Sequence, residues 1–364
     1  MQSSRDVVDN LLRKRPAERV GVDDHPWGDT LRKWVKQGMP ADAEGSPVNA
    51  IDHFGFDMAG VGGWIARFAK PGVEETVEET AEWRIVRNGS GALLKWWKDK
   101  SGTPEHVDFA MTSREVWERD YRPNLLENDR ERFDVKAVAE TLACRRAQGL
   151  WTYFGDVFIW ETMRGSMGDY TMYMALTDDP DWIHDFNRVY TDLWKRSYAI
   201  LIEEAGRPDG IRLCEDLGYR QRMFCSPKML DELIFPYFRE IVEFFHGYDL
   251  PVILHTCGYV EPALDLIVDA GFDGLNPMEV KAGNDALKFA ERYGEELAFI
   301  GGLDARILES GDRDLIRRET VALIEGMKSR GARFVFGSDH SISTNVDYDD
   351  FRFALDVYRE HMMY

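Results

Sequence analysis

Beyond about residue 145 the chain settles into a rhythm in which short apolar runs alternate with longer stretches whose apolar positions recur at helical spacing. Short buried strands followed by amphipathic helices predict β-α units and a parallel sheet. Strands are expected at Leu150–Phe154, Gly210–Cys214, Pro251–His255, Gly274–Asn276, Leu297–Gly301 and Arg333–Gly337. The helix Trp182–Ala205 carries Ile183, Phe186, Tyr190, Leu193, Trp194, Ile200 and Leu201 on one stripe, which suits packing against the sheet. Ser226-Pro227 makes a cap and first-turn pair for a helix ending near Gly247. Asn284 caps a short helix stopping at Gly294, Asp312 a longer one stopping at Gly331, and a helix from Asp349 to His361 closes the chain. Six such units are visible, with room for two more upstream, so a (β/α)8 TIM barrel is favoured over an open doubly wound sheet.

Residues 1–140 read differently. They are irregular and rich in Trp, Gly and charge, with one hairpin expected over 82–98: Glu82–Arg87 and Ala92–Trp97 flank a turn at Asn88-Gly89-Ser90-Gly91. Pro104–Asp120 reads as a connection and a helix start, and no low-complexity linker separates the parts. The expectation is therefore one α/β barrel domain over residues 1–364, with an irregular N-terminal extension and an inserted hairpin.

Composition narrows the partners. At 44% hydrophobic and 30% charged, the chain carries enough apolar residues for a packed core. A net charge of -20, from 45 basic and 65 acidic residues, argues against nucleic acid and anionic membranes. No run approaches the roughly 20 apolar residues that span a bilayer. The segment Met1-Gln2-Ser3-Ser4-Arg5-Asp6 lacks the apolar centre of a signal peptide. Four cysteines, Cys144, Cys214, Cys225 and Cys257, do not suggest a disulfide framework at this length. A cytoplasmic setting is expected.

The chemistry concentrates where strands end. Strand side chains alternate between faces, so His255 and Cys257 project together, and imidazole plus thiolate is a good pair of zinc ligands. Reading the other strand ends gives Gly155-Asp156, Glu215-Asp216, Asn276-Pro277-Met278-Glu279, Gly302-Leu303-Asp304 and Ser338-Asp339-His340. On a barrel that end is the catalytic one. Each group also has an ordinary reading: free cysteine is usually a small buried hydrophobe, Glu215-Asp216 suits a turn, and Asp304 suits loop geometry. Cys144, Cys214 and Cys225 read as packing. Trp151 and Tyr153 alternate to one face and are candidates for a substrate wall, although barrel core is the commoner use of such residues.

Three segments, "PVILHTCGYVEPALDLIVDAGFDGLNPME", "LAFIGGLDARIL" and "FVFGSDHSI", resemble the uroporphyrinogen decarboxylase-like superfamily, which also holds cobalamin-dependent methyltransferases. The similarity extends upstream through "CEDLGYRQRMFCSPKMLDELIFPYFREIV" and "PEHVDFAMTSREVW", covering roughly residues 100 to 364. It implies a (β/α)8 barrel with a cleft at the C-terminal face. Uroporphyrinogen decarboxylases themselves carry an arginine-rich N-terminal signature that holds substrate carboxylates. This chain has Val22-Asp23-Asp24-His25-Pro26-Trp27-Gly28-Asp29 there, and acidic groups would repel an octa-acid. Haem-pathway decarboxylation is therefore disfavoured.

The methyltransferase branch is similar to this chain at its metal. There a His-x-Cys pair and a distant Cys bind zinc; His255 and Cys257 match the pair, and the third position falls on His340, with Asp339 beside it. The resemblance implies a methyl group moving between a small-molecule heteroatom and a corrinoid (cobalamin) carried on a partner protein. Glu215, Asp216 and Asp339 are then candidate catalytic groups, and Asn276, Glu279, Asp304, Trp151 and Tyr153 candidates for substrate binding. Expected partners are the methyl donor or acceptor, the corrinoid protein and, in a homodimer, a second copy of the chain. A metal-independent decarboxylase of a small carboxylic acid on the same barrel stays open.

Overall fold

Eight strands run parallel around a barrel in the computed structural model, which describes residues 2–127 and 129–364. They are Gly21–Val22, Met58–Gly60, Trp151–Val157, Gly210–Cys214, Val252–Thr256, Gly274–Pro277, Ala298–Ile300 and Phe334–Phe336. From the second to the eighth each pairs with its successor, and the eighth pairs back onto the first through Gly21↔Val335. Asp57 closes the remaining seam. Its amide donates to Val22 O and its carboxylate accepts from Val22 N, both at 2.8 Å, while Arg19 holds that carboxylate with two 2.7 Å bonds. The six expected strands lie within three residues of their observed ends, and the two upstream ones are too short to show a pattern.

The helices follow their punctuation with two exceptions. Pro180–Ala205 begins at Asp179, whose side chain accepts from Trp182 N, and buries the apolar stripe except Ile200. The helix expected from Pro227 to Gly247 is two, Pro227–Leu233 and Phe235–Gly247, because Pro236 supplies no amide hydrogen to continue the ladder. The cap of Ala286–Tyr293 is Asp285, not Asn284. The Asn284 amide instead ties loops together, accepting from Val260 N and donating to Gly258 O. Asp312 caps Arg313–Ser329 as expected, and Tyr348–His361 closes the chain. Among the described residues no helix is long and apolar enough to cross a membrane.

The N-terminal helix Ser4–Leu12 plugs the barrel floor. Its Val7, Val8, Leu11 and Leu12 pack against Met58, Trp151, Ile253, Ile300 and Val335 from the strands. At the other end, the expected hairpin is the centre of a four-stranded antiparallel sheet: Glu74–Glu79, Trp83–Asn88, Ala92–Trp97 and Glu105–Phe109. Its turn is built by Asn88, whose side-chain oxygen accepts from Ser90 N and Ala92 N. This sheet stands over the barrel mouth and supplies one wall of the cleft beneath it.

Candidate active site at the barrel mouth

Strand register brings the chemistry together. His255 lies beside Cys214 on one neighbour and beside Asn276 on the other, and Cys257 follows two residues on. Asp216 follows Cys214 at the same spacing and reaches the same point. The Asp216, His255 and Cys257 ligand atoms all lie within 4.8 Å of one another. Cys257 Sγ is 3.5 Å from His255 Nε2, and Cys257 N donates to Asp216 Oδ1 at 2.9 Å. Gly258, at φ 77°, lets the chain turn directly against Gly218, where a side chain would strike backbone. The carboxylate of Glu279 fixes that turn by accepting from Gly258 N at 2.7 Å. The cluster lines a cleft of about 660 Å³.

The orientation of His255 is determined by its neighbours. Asn276 Nδ2 donates to Ile300 O at 3.0 Å, which turns Asn276 Oδ1 toward His255 Nδ1 at 2.5 Å. The ring proton therefore sits on Nδ1, and the Nε2 lone pair faces Cys257. Burial, Arg212 and nearby His340 pull the His255 pKa down to about 4, keeping the ring neutral and able to ligate. Burial pushes the Cys257 thiol up, and the Asp216 and Glu279 carboxylates push it further. A thiol, an imidazole lone pair and a carboxylate so close together repel one another once ionised. A divalent cation reverses that balance, and this N, O, S donor set suits zinc.

Beneath the cluster lies a buried arginine that sequence reasoning did not single out. Arg212, two residues before Cys214 on its strand, donates to Asn276 Oδ1 at 2.6 Å and meets His25 Nε2 at 3.2 Å. Tyr153 OH is 3.5 Å from it and Asp23 Oδ2 3.6 Å. Burial raises Asp23 to about 8 despite Arg212, so this acid holds a proton at neutral pH. Strand alternation was the available signal, since Arg212 shares the inward face of Cys214. The acidic run Asp23-Asp24-His25-Pro26-Trp27-Gly28 reaches the same place. It leaves the first barrel strand, with its histidine against Arg212 and Tyr153 inside the mouth.

Several expected site residues lie elsewhere. Glu215 does not line the cleft; its buried carboxylate accepts from Phe158 N and Trp160 N at 2.5 and 2.6 Å. Asp339 is likewise spent on backbone, accepting from Val280 N and Ala305 N, both at 2.8 Å. His340 is outside the three-residue cluster, its Nδ1 3.1 Å from Ser341 O, and the group standing beside His255 and Cys257 there is Asp216. Asp304 caps the helix Ala305–Glu309 and pairs with Arg306. Trp151 is fully buried in the barrel floor, while Tyr153 reaches the Arg212 group. Asn276 and Glu279 lie against the cluster, and the groups they hold are the protein's own.

Comparison with known proteins follows the same outline. The family model described as uroporphyrinogen decarboxylase (URO-D) matches residues 162–361. No curated protein matches the chain. Among solved structures, a methyltransferase from Methanosarcina mazei is similar over 99% of this chain and 99% of its own, with a TM-score of 0.67 at 15% identity, a likeness of fold. A family 2 AP endonuclease from Brucella melitensis covers 58% of this chain and 81% of its own at 12% identity, and its TM-score of 0.32 carries no further argument.

Proposed function

The chain belongs to the uroporphyrinogen decarboxylase family, and from that premise we propose that it is a zinc-dependent methyltransferase. It moves a methyl group between the heteroatom of a small molecule and a corrinoid carried on a partner protein. The observation that carries this reading is the convergence of Asp216, His255 and Cys257 at the mouth of the cleft. These three side chains would hold the metal. Bound zinc supplies Lewis acidity, lowering the pKa of a coordinated heteroatom or polarising it as a leaving group.

The protein's own part is positioning. Asn276 holds His255 with Nε2 facing inward, and Glu279 holds the Cys257-Gly258 turn against Gly218, in the short hairpin formed by Gly218–Tyr219 and Arg222–Met223. The four-stranded sheet and Phe224 enclose the cleft and limit water around the reacting atoms. The fold neighbour named a methyltransferase supports the same reading. One observation favours a second reading, decarboxylation without a metal: protonated Asp23 beside Arg212 is a plausible acid for that chemistry.

Metal content decides between them. Purified protein offered zinc is expected to hold about one ion per chain, lost in Cys257→Ala and His255→Ala and weakened in Asp216→Ala. His340→Ala is expected to keep it. A wild type that takes up no zinc, or a Cys257→Ala variant that keeps full stoichiometry, overturns the methyltransferase reading and leaves the acid-base one.

A further inference from the structure

Among the described residues three arginines line the cleft, and one of them is held in ion pairs. Arg164 is held by Glu161 and Asp169. Arg67, on the segment after the second barrel strand, and Arg220, in the hairpin after the fourth, have no ion pair among the described residues. Each touches an aromatic ring instead, Arg67 over Phe68 at 4.8 Å and Arg220 over Tyr219 at 5.4 Å. Arg67 Nε is buried without an acceptor. Asp156, which feels the Arg67 charge, spends its carboxylate on Ile65 N and Tyr198 OH.

Arg220 is exposed at the rim, whereas Arg67 is half-buried, and its Nε is out of water with nothing to donate to, which costs free energy. With 65 acidic residues against 45 basic, this chain has no shortage of carboxylates to pair it. An arginine left open on a cavity wall in such a chain is placed to meet an anion from outside. The other walls describe the rest of that ligand: Val86, Leu94, Trp96 and Phe224 line the same cleft as Arg67 and the His255-Cys257 pair. The Arg220 hairpin is fixed in place, its main-chain carbonyl accepting from Tyr259 N at 2.8 Å.

Resting on the methyltransferase reading of this cleft, we propose that its substrate is a small aromatic carboxylate. The carboxylate pairs with the Arg67 fork, Arg220 adds charge at the rim, and the ring lies against Trp96 and Phe224 with its heteroatom toward His255 and Cys257. Guanidinium presents two parallel donors to a planar carboxylate, a geometry that an ammonium lacks.

The test is calorimetric titration of benzoate, 4-methoxybenzoate, neutral 4-methoxybenzamide and inorganic phosphate into wild type, Arg67→Gln and Arg67→Lys, with zinc measured on the same samples. Both carboxylates are expected to bind wild type, at least about tenfold more weakly to Arg67→Gln and in between to Arg67→Lys. The amide should bind weakly and equally to all three. Equal affinity of amide and carboxylate overturns the proposal, as do an unaffected Arg67→Gln, a preference for phosphate, or no carboxylate binding to wild type up to about 10 mM. Zinc-free protein that still discriminates the carboxylates would retain the anion site while the methyltransferase reading failed. Zinc-loaded protein without discrimination sinks only the present inference.

Discussion

Asn276 makes three contacts with one amide: it accepts from His255 and Arg212 and donates to Ile300 O. Its removal would free the His255 ring to rotate and leave Arg212 short of an acceptor. Loss of such an orienting partner typically weakens metal binding about 10–100-fold. Asn276→Ala is therefore expected to bind zinc more weakly by that factor, with stability lowered by about 1–3 kcal/mol from the unsatisfied buried donor. Competition with a chromogenic chelator measures the first and thermal unfolding the second. A variant with unchanged zinc affinity would show that His255 is held by packing alone.

At the scale of elements, one carboxylate does the work of a missing cap. The helix Ile159–Asp178 starts at Phe158, which has no side chain to satisfy its first amides, and Glu215 reaches across from the neighbouring strand end to accept from Phe158 N and Trp160 N. Glu215→Ala should cost about 2–4 kcal/mol by stranding two buried amides, while Glu215→Gln, which keeps a carbonyl there, should cost less. Equal unfolding temperatures for both variants would contradict the capping role. This residue also marks the limit of what was legible in the sequence. Glu215 and Asp216 are chemically alike and adjacent, so only their placement tells the capping carboxylate from the one in the cluster. The His-x-Cys pair was legible because an unbroken apolar run fixes the strand and alternation fixes the face. Glu74–Glu79 was not, because every residue of that strand is exposed and no apolar alternation marks it. Arg67 and the seam at Asp57 depend on contacts between segments far apart in the chain.

Across the whole molecule, burial of acids makes stability depend on pH in an unusual direction. Asp23 is raised to about 8 and Asp156 to about 7, in both cases chiefly by burial. Glu215 and Asp339 are raised too, again first by burial. In the unfolded chain these groups lose their protons near pH 4. Between about pH 4 and 8 these acids therefore hold more protons in the folded protein than in the unfolded one, so their contribution to stability falls as pH rises. Burial keeps His25 and His255 unprotonated when folded, which opposes that fall below about pH 6.5, where the unfolded rings still bind protons. A net charge of -20 acts in the same sense as the acids, since each further ionisation adds repulsion. Zinc would oppose the trend, because Cys257 must lose its proton to ligate and binding strengthens with pH. Chelator-treated protein is thus expected to lose Tm from about pH 6.5 to 8, where the histidines no longer oppose the acids, and zinc-treated protein to lose less, so that the gap between the two curves widens with pH. Asp156→Asn should flatten the chelator-treated curve, because the amide keeps an acceptor for Ile65 N and Tyr198 OH but cannot ionise. A Tm that rises over that range in chelator, or an Asp156→Asn slope equal to that of wild type, would mean that these buried acids do not govern the balance.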